Sequence, residues 1–326
     1  MAGGGATGHD LHIDQHLSNV AINYEPKGMI ADVIAPIVSV GKQSDTYIIW
    51  SHADAFRIED DKRAPGDEAN KIERSVSSES YNAKNYALKM PLNLEDRENM
   101  DPVFIGNMRE GRTKFIKSKL MLSWEQRVAL RCTSGSNCGS YATITSDWIE
   151  HRTGYSTPLA DCWQAVANVQ DSTGYRPNRC IMSELAWRNF RQHADVISII
   201  YGYAGAPGEV GVRYASVEQF KRIFELDAFH VGRAYYSTTQ EGQTASLSPL
   251  WGDHVLFYYA PASPSIEEPS FMYSFRWTKP GLPNMIAERH PFDPKTKSEE
   301  IELGYYQDEK ITAKNLAFLM THVTSV

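Results

Sequence analysis

Ligand-type side chains are densest at the amino terminus, where His9, His12 and His16 alternate with Asp10 and Asp14. Imidazoles and carboxylates at that density are the donor set of a divalent-metal site. The stretch that would carry them opens Met1-Ala-Gly-Gly-Gly-Ala, and a metal cage needs preset geometry that such a leader does not give. The histidines therefore read as part of a solvated arm. Asp253-His254 has the types of half a catalytic pair, but no nucleophile stands near it in sequence. A hydrogen-bonded histidine at the start of a strand is the expectation there. Cys132 and Cys138 flank a turn, and with Cys162 and Cys180 they form no C-x-x-C pair. They read as reduced thiols in a cytosolic assembly compartment. The chain contains no G-x-x-x-x-G-K-S/T loop, no H-E-x-x-H and no G-x-S-x-G elbow. An enzyme is not expected, and no catalytic residue, cofactor or metal is assigned.

The elements around these residues are better defined than the chemistry. From Pro102 to Cys132, Ile116, Leu120, Trp124 and Val128 recur every four residues, and Met108, Phe115, Leu122 and Ala129 every seven. Both sets predict one apolar face on a helix over residues 101–133, roughly 45 Å long. Asp101 suits its N-cap and Pro102 its first turn. Its cations, Arg109, Arg112, Lys114, Lys117, Lys119, Arg127 and Arg131, outnumber Asp101, Glu110 and Glu125, and they read as a solvated face.

Ahead of that helix lie two strand candidates, 45–50 and 86–90, separated by a run of mixed charge. Arg57, Glu59, Asp60, Asp61, Lys62, Arg63, Asp67, Glu68, Lys71, Glu73 and Arg74 flank a Pro65-Gly66 turn. This predicts a long two-stranded projection with a polar tip, marginal on its own in water. Balanced charges suit contact with a complementary neighbouring surface, where they set register more than affinity. Residues 1–45 are short apolar pieces broken by Pro26 and Pro36, and predict an extended arm lying on another surface.

Beyond residue 155 helices and strands alternate, giving a mixed α+β unit. Helices are expected over 158–169, 183–193 and 217–224, and strands at 179–182, 228–236 and within 250–261. The glycine-rich Tyr201-Gly-Tyr-Ala-Gly-Ala-Pro-Gly-Glu-Val-Gly211 has loop composition. Strands are expected at 271–277, 285–290, 300–307 and 317–323, the last folding back on the long helix. The whole chain has 326 residues, 42% hydrophobic and 22% charged, with net charge −7. That excludes a disordered composition and argues against a protein that wraps bare nucleic acid. No run reaches the roughly 20 apolar residues of a membrane span, and no secretory signal is evident.

The order of arm, charged excursion, long helix, mixed unit and strand-rich tail resembles the major capsid proteins of tailed bacteriophages. Four stretches carry the resemblance: Tyr86-Ala-Leu-Lys-Met-Pro91, Lys119-Leu-Met-Leu-Ser-Trp-Glu-Gln-Arg-Val-Ala129, Leu250-Trp-Gly-Asp-His-Val-Leu-Phe-Tyr-Tyr-Ala-Pro261 and Tyr305-Tyr-Gln-Asp-Glu-Lys-Ile-Thr-Ala313. The resemblance implies an α+β, Hong Kong 97-like fold. Residues 1–45 would be the N-arm, and 46–93 an extended β-hairpin loop reaching over an adjacent subunit. Residues 94–154 would form the peripheral domain with its spine helix, 155–270 the axial domain, and 271–326 a strand-rich return to the peripheral domain. Arg57, Glu59, Asp61, Lys62, Arg63, Asp67, Glu68, Lys71 and Arg74 would make the inter-subunit contact. Tyr201, Gly202, Tyr203, Gly205, Gly208 and Gly211 would lie at the capsomer axis.

The implied function is self-assembly into pentamers and hexamers of an icosahedral head, built in the host bacterial cytoplasm. That head would enclose double-stranded DNA without sequence-specific binding. Implied partners are other copies of the chain, a separate scaffolding protein, a portal and a decoration protein, with no membrane. Two other classes fit less of the sequence. One is an encapsulin-like nanocompartment shell, which a cargo-peptide groove would favour. The other is a metal-dependent enzyme built on the N-terminal histidines.

Overall fold

A computed structural model describes residues 14–24, 28–50, 54, 56–63, 65–66, 68–99, 102–149, 154–201, 214–240, 242–264, 268–278 and 284–324. In chain order it begins with α1 (Gln15–Asn23), α2 (Ala31–Ile34) and β1 (Ile37–Val40). A ribbon of β2 (Ser44–Trp50) and β3 (Val76–Asn82) leads through β4 (Lys84–Asn93) and α3 (Leu94–Glu98) to α4 (Pro102–Cys132). Next come β5 (Ser140–Thr143), α5 (Pro158–Thr173), β6 (Arg179–Ser183), α6 (Glu184–Phe190), α7 (Ala194–Tyr201), α8 (Val217–Phe224) and β7 (Ala228–Gly232). The chain continues through β8 (Tyr235–Ser237), β9 (Leu247–Pro249), β10 (Val255–Tyr258), β11 (Met272–Trp277), β12 (Ile286–Asp293), β13 (Ser298–Ile311) and β14 (Ala317–Thr321).

The long helix occupies nearly the expected span, with Asp101 outside the described residues. Ile116, Leu120, Trp124 and Val128 are buried, as their four-residue spacing requires. The seven-residue set divides: Ala129 is buried, but Phe115 is 53% exposed. A straight α-helix turns every 3.6 residues, so a heptad row drifts off the buried face over several turns. The basic side is not simply solvated. Arg109 Nη2 lies 3.0 Å from Glu299 Oε2 and Arg127 Nη2 3.0 Å from Glu309 Oε1, both carboxylates being buried on β13. Lys117 donates to the Ile22 and Tyr24 carbonyls that end α1.

The amino-terminal stretch is not an extended arm in its described part. The Asp14 side chain caps α1 by accepting from the Leu17 amide at 3.0 Å. Leu17, Ala21, Ile30, Ala31 and Ile34 are buried in the same core as α4. Those apolar pieces find their partner on their own chain.

Two five-stranded sheets meet at α4. In the first, β13 pairs antiparallel with β4, β12 and β11, and β1 runs parallel to β11. The second has the order β5-β14-β10-β6-β7. Along β10 the residues alternate between two cores. Leu256 and Tyr258 face the α4 core, while Val255 and Phe257 face a second core built by α5, α6 and α8. That is why the stretch reads as an unbroken apolar run. The last strand faces the long helix with one side only. Ala317 and Leu319 belong to one core and Phe318 and Met320 to the other, so β14 must sit mid-sheet, between β5 and β10. From the first sheet, β13 and β4 pack on α4.

Local signals place the rest. Ser183 caps α6 by accepting from Ala186 N, and Ser216 forms a capping box with Gln219 on α8. Trp187, Phe190, Phe220, Phe224 and Phe229 interlock at centroid distances of 4.2–6.3 Å. The helix α7 follows directly, over a stretch where the sequence reading places no element. The expected strand over 228–236 breaks into β7 and β8 at Arg233 and Ala234. Trp251 packs over Gly232, where a Cβ would fall 2.4 Å from the indole, so only glycine fits beneath it.

Candidate functional site

The charged stretch is an open loop on a short ribbon, and this corrects the expected long hairpin. The β2–β3 ladder runs from Ser44↔Asn82 to Trp50↔Val76. The Tyr86–Met90 candidate belongs to β4, which pairs with β13. No strand is assigned among the described residues from 54 to 75. Charged residues with Pro65 have low β-propensity, whereas Ser-rich Val76–Asn82 forms β3 without an apolar alternation.

Two hydrogen bonds tie the limbs of the loop. Ser75 N donates to Asp54 Oδ2 at 2.7 Å, and Asn70 Nδ2 donates to the Asp60 carbonyl at 2.7 Å. Its charges pair over short range: Arg57 lies 3.9 Å from Asp54 and 3.7 Å from Glu59, and Lys71 3.7 Å from Glu68. Exposed pairs of this kind contribute little to stability. Glu59, Asp61, Lys62 and Arg63 share this exposed loop with Arg74, while Asp67 lies outside the described residues. At the root of the loop Phe56 rests on Gly174, which ends α5 in the left-handed region at φ 74°. A Cβ there would fall 2.5 Å from the Phe56 ring.

Apolar side chains in the loop are the feature that the charge run hid. Ile58 is 96% exposed and Ile72 76%. Nearer the sheet, the ribbon and β11 enclose a cleft of about 560 Å³. Its walls include Val38, Val40, Tyr47, Ile49, Tyr273 and Phe275, with Arg74 and Glu268 also lining it. Tyr47 and Tyr81 lie 5.0 and 4.8 Å from the Phe275 ring. Burial, then the hydrogen bond to Glu79, raises the Tyr47 pKa.

Of the expected axis residues only Tyr201 is described. It ends α7, is 42% exposed, and donates from Oη to the Tyr214 carbonyl at 3.2 Å. Gly202, Tyr203, Gly205, Gly208 and Gly211 lie outside the described residues.

The chemical candidates fall in separate places. His16 lies 3.1 Å from Glu110 on α4, while His9, Asp10 and His12 are outside the described residues. His254 is 3.5 Å from Asp253, yet its Nδ1 makes no hydrogen bond, unlike the expected hydrogen-bonded histidine. Burial lowers its pKa against the pull of Asp253. All four cysteines are buried and free. Burial pushes the Cys138 thiol up to about 12 and raises the other three, which suppresses thiolate chemistry.

Buried polar groups tie elements together, and Glu125 among them lies on α4. Glu125 Oε2 accepts from the amides of Ile30 at 2.9 Å and Ala31 at 2.7 Å, and Oε1 accepts from Trp251 Nε1 at 2.7 Å. One carboxylate thus joins α2, the long helix and the turn before β10. Arg276 is buried between the Trp124 and Tyr305 rings and donates to Gln307 Oε1 from Nε at 2.9 Å. Burial lowers its pKa to about 10.

No family model matches the chain. It is 26% identical over 249 residues to the major capsid protein of Pseudomonas phage JBD67, spanning 76% of this chain and 77% of that one. It is 23% identical over 273 residues to the major capsid protein of Burkholderia phage BcepMu, spanning 81% and 83%. Among solved structures it is similar to a phage-related protein from Bordetella bronchiseptica RB50, with TM-score 0.74 and 21% identity, over 97% of this chain and 99% of that one. The capsid of cyanophage P-SCSP1u matches with TM-score 0.58 and 10% identity, over 91% and 89%.

Proposed function

We infer that the chain belongs to the major capsid proteins of tailed bacteriophages and has their Hong Kong 97-like fold. Its function is structural: copies of it build the capsid. One observation carries this, namely that both curated relatives are major capsid proteins aligned over about three quarters or more of each chain. Those relatives are structural proteins, and both come from phages, so the nanocompartment alternative is not favoured.

The finer assignments are proposals. We assign residues 1–45 to the N-arm, with its described part packed on its own spine helix. The extended loop would be 46–93, the peripheral domain 94–154 and 271–326, and the axial domain 155–270. The last boundary is porous, since β5 and β14 share a sheet with β6, β7 and β10. The exposed 57–74 loop supports a contact arm toward an adjacent subunit through Arg57, Glu59, Asp61, Lys62, Arg63, Asp67, Glu68, Lys71 and Arg74. Tyr201 and the glycines that follow support a surface at the centre of pentamers and hexamers. Double-stranded DNA would be enclosed without sequence-specific contact, consistent with net charge −7. A scaffolding protein, a portal and a decoration protein complete the proposed partners, with assembly in the host bacterial cytoplasm.

Negative-stain electron microscopy of the expressed chain, with and without a co-expressed scaffolding protein, tests the reading. Closed particles, or rings of five and six, are expected. A monomer under every condition would sink it.

A further inference from the structure

Ile58 and Ile72 lie on opposite limbs of one loop. Asn70 Nδ2 donates to the Asp60 carbonyl across it, and Ile72 and Ile58 each stand two residues nearer the ribbon on their own limb. Single exposed apolar residues are ordinary. Two exposed isoleucines on opposite limbs, amid charges that keep the loop soluble, offer an apolar knob. The cleft beside β11 is the matching hole, walled by Val38, Val40, Tyr47, Ile49, Tyr273 and Phe275. The chain does not fill its own hole with its own knob, because Ile58 is 96% and Ile72 76% exposed.

We propose that the Ile58–Ile72 knob of one subunit seats in the β11 cleft of the next, a head-to-tail contact between two copies of this chain. The proposal rests on the shell reading and names the partner surface of the loop. Knob and hole are different patches of one chain, so the contact is heterologous, and such contacts close into rings when the rotation allows. Size supports a second copy over a lasting pair. The knob covers on the order of 300 Å² a side, below the roughly 800 Å² per partner of a stable complex. Pairs would therefore fall apart in solution. A ring repeats the contact in every subunit, and a closed particle holds through many weak contacts at once. Both charge signs flank the knob, at Glu59, Asp60, Asp61, Lys62 and Lys71, and both line the hole, at Arg74 and Glu268. They set register.

Cysteine crosslinking of assembled full-length particles tests this. Ile58→Cys marks the knob and Ala313→Cys the cleft wall, while the four native cysteines are buried and shielded from reagent. With a short bismaleimide, the doubly substituted chain should give a ladder from dimer to hexamer on a denaturing gel. Co-assembly of the two single variants should give dimers alone, and each single variant by itself only monomer. Dimers from Ile58→Cys alone would mean that loop meets loop and would overturn the proposal. Well-formed particles of the double variant without a ladder would overturn it too, while leaving the shell reading intact. Failure of the unmodified chain to form particles would remove both. In parallel, Ile58→Asp with Ile72→Asp should melt within a few degrees of the parent yet cut particle yield about tenfold. An undiminished yield would count against the knob.

Discussion

Glu125 concentrates more of the fold in one side chain than any charged residue of the surface loop. It is fully buried and accepts from two backbone amides and one indole. Burial pushes its carboxyl above the usual range, while the three donors pull the other way. Removing it strands those donors in the core. Glu125→Ala should therefore cost about 3 kcal/mol or more of stability, since each unsatisfied buried donor costs about 1–3 kcal/mol. Denaturant unfolding measures this directly, and a loss under 1 kcal/mol would mean that the three groups find other acceptors. Gly232 and Trp251 belong to the same joint, because the indole that reaches Glu125 packs over a strand position with no room for a Cβ.

Among elements, the ribbon and its loop behave differently from everything they spring from. The β4–β13 ladder holds ten residue pairs, from Ser298↔Asn93 to Gln307↔Lys84, and anchors the strand that continues into β3. Past Trp50 and Val76, limb-to-limb hydrogen bonds among the described residues include Ser75 to Asp54 and Asn70 to Asp60. Charge in that region is largely exposed, where ion pairs contribute little to folding. Reversing Arg63→Glu and Arg74→Glu together should leave the melting temperature within a few degrees of the parent and impair shell formation. Thermal melting and electron microscopy on one sample check both halves. Normal particles would reduce the loop charges to solvated surface.

At the scale of the whole molecule, two cores share one sheet and the loop springs from the β2–β3 ribbon. Trypsin added to the unassembled chain should cut first at Lys62, Arg63, Lys71 or Arg74, where backbone hydrogen bonding is sparse. In assembled particles the same bonds should resist cleavage, because a neighbour covers them. Timed digestion with mass spectrometry reads the order of cuts. Equal cleavage before and after assembly would mean that the loop points into solvent.

What the sequence by itself determined was local. The four-residue spacing of Ile116 to Val128, the caps at Ser183 and Ser216, and the apolar run at 250–261 fixed elements without reference to anything distant. The order of those elements along the chain also carried the resemblance to a capsid fold. Tertiary structure decided the rest. Whether Phe115 or Ala129 entered the core depended on helical drift against a particular sheet. The cations of α4 found buried carboxylates on β13, more than 180 positions away in sequence. The ribbon strand Val76–Asn82 has too few apolar residues to announce itself and forms because β4 is already fixed to β13. The cleft beside β11 draws its walls from at least four separate stretches of chain, so no local window contains it. Sequence spacing encodes which face an element turns. Which surface meets that face is set by contacts among residues far apart in the chain.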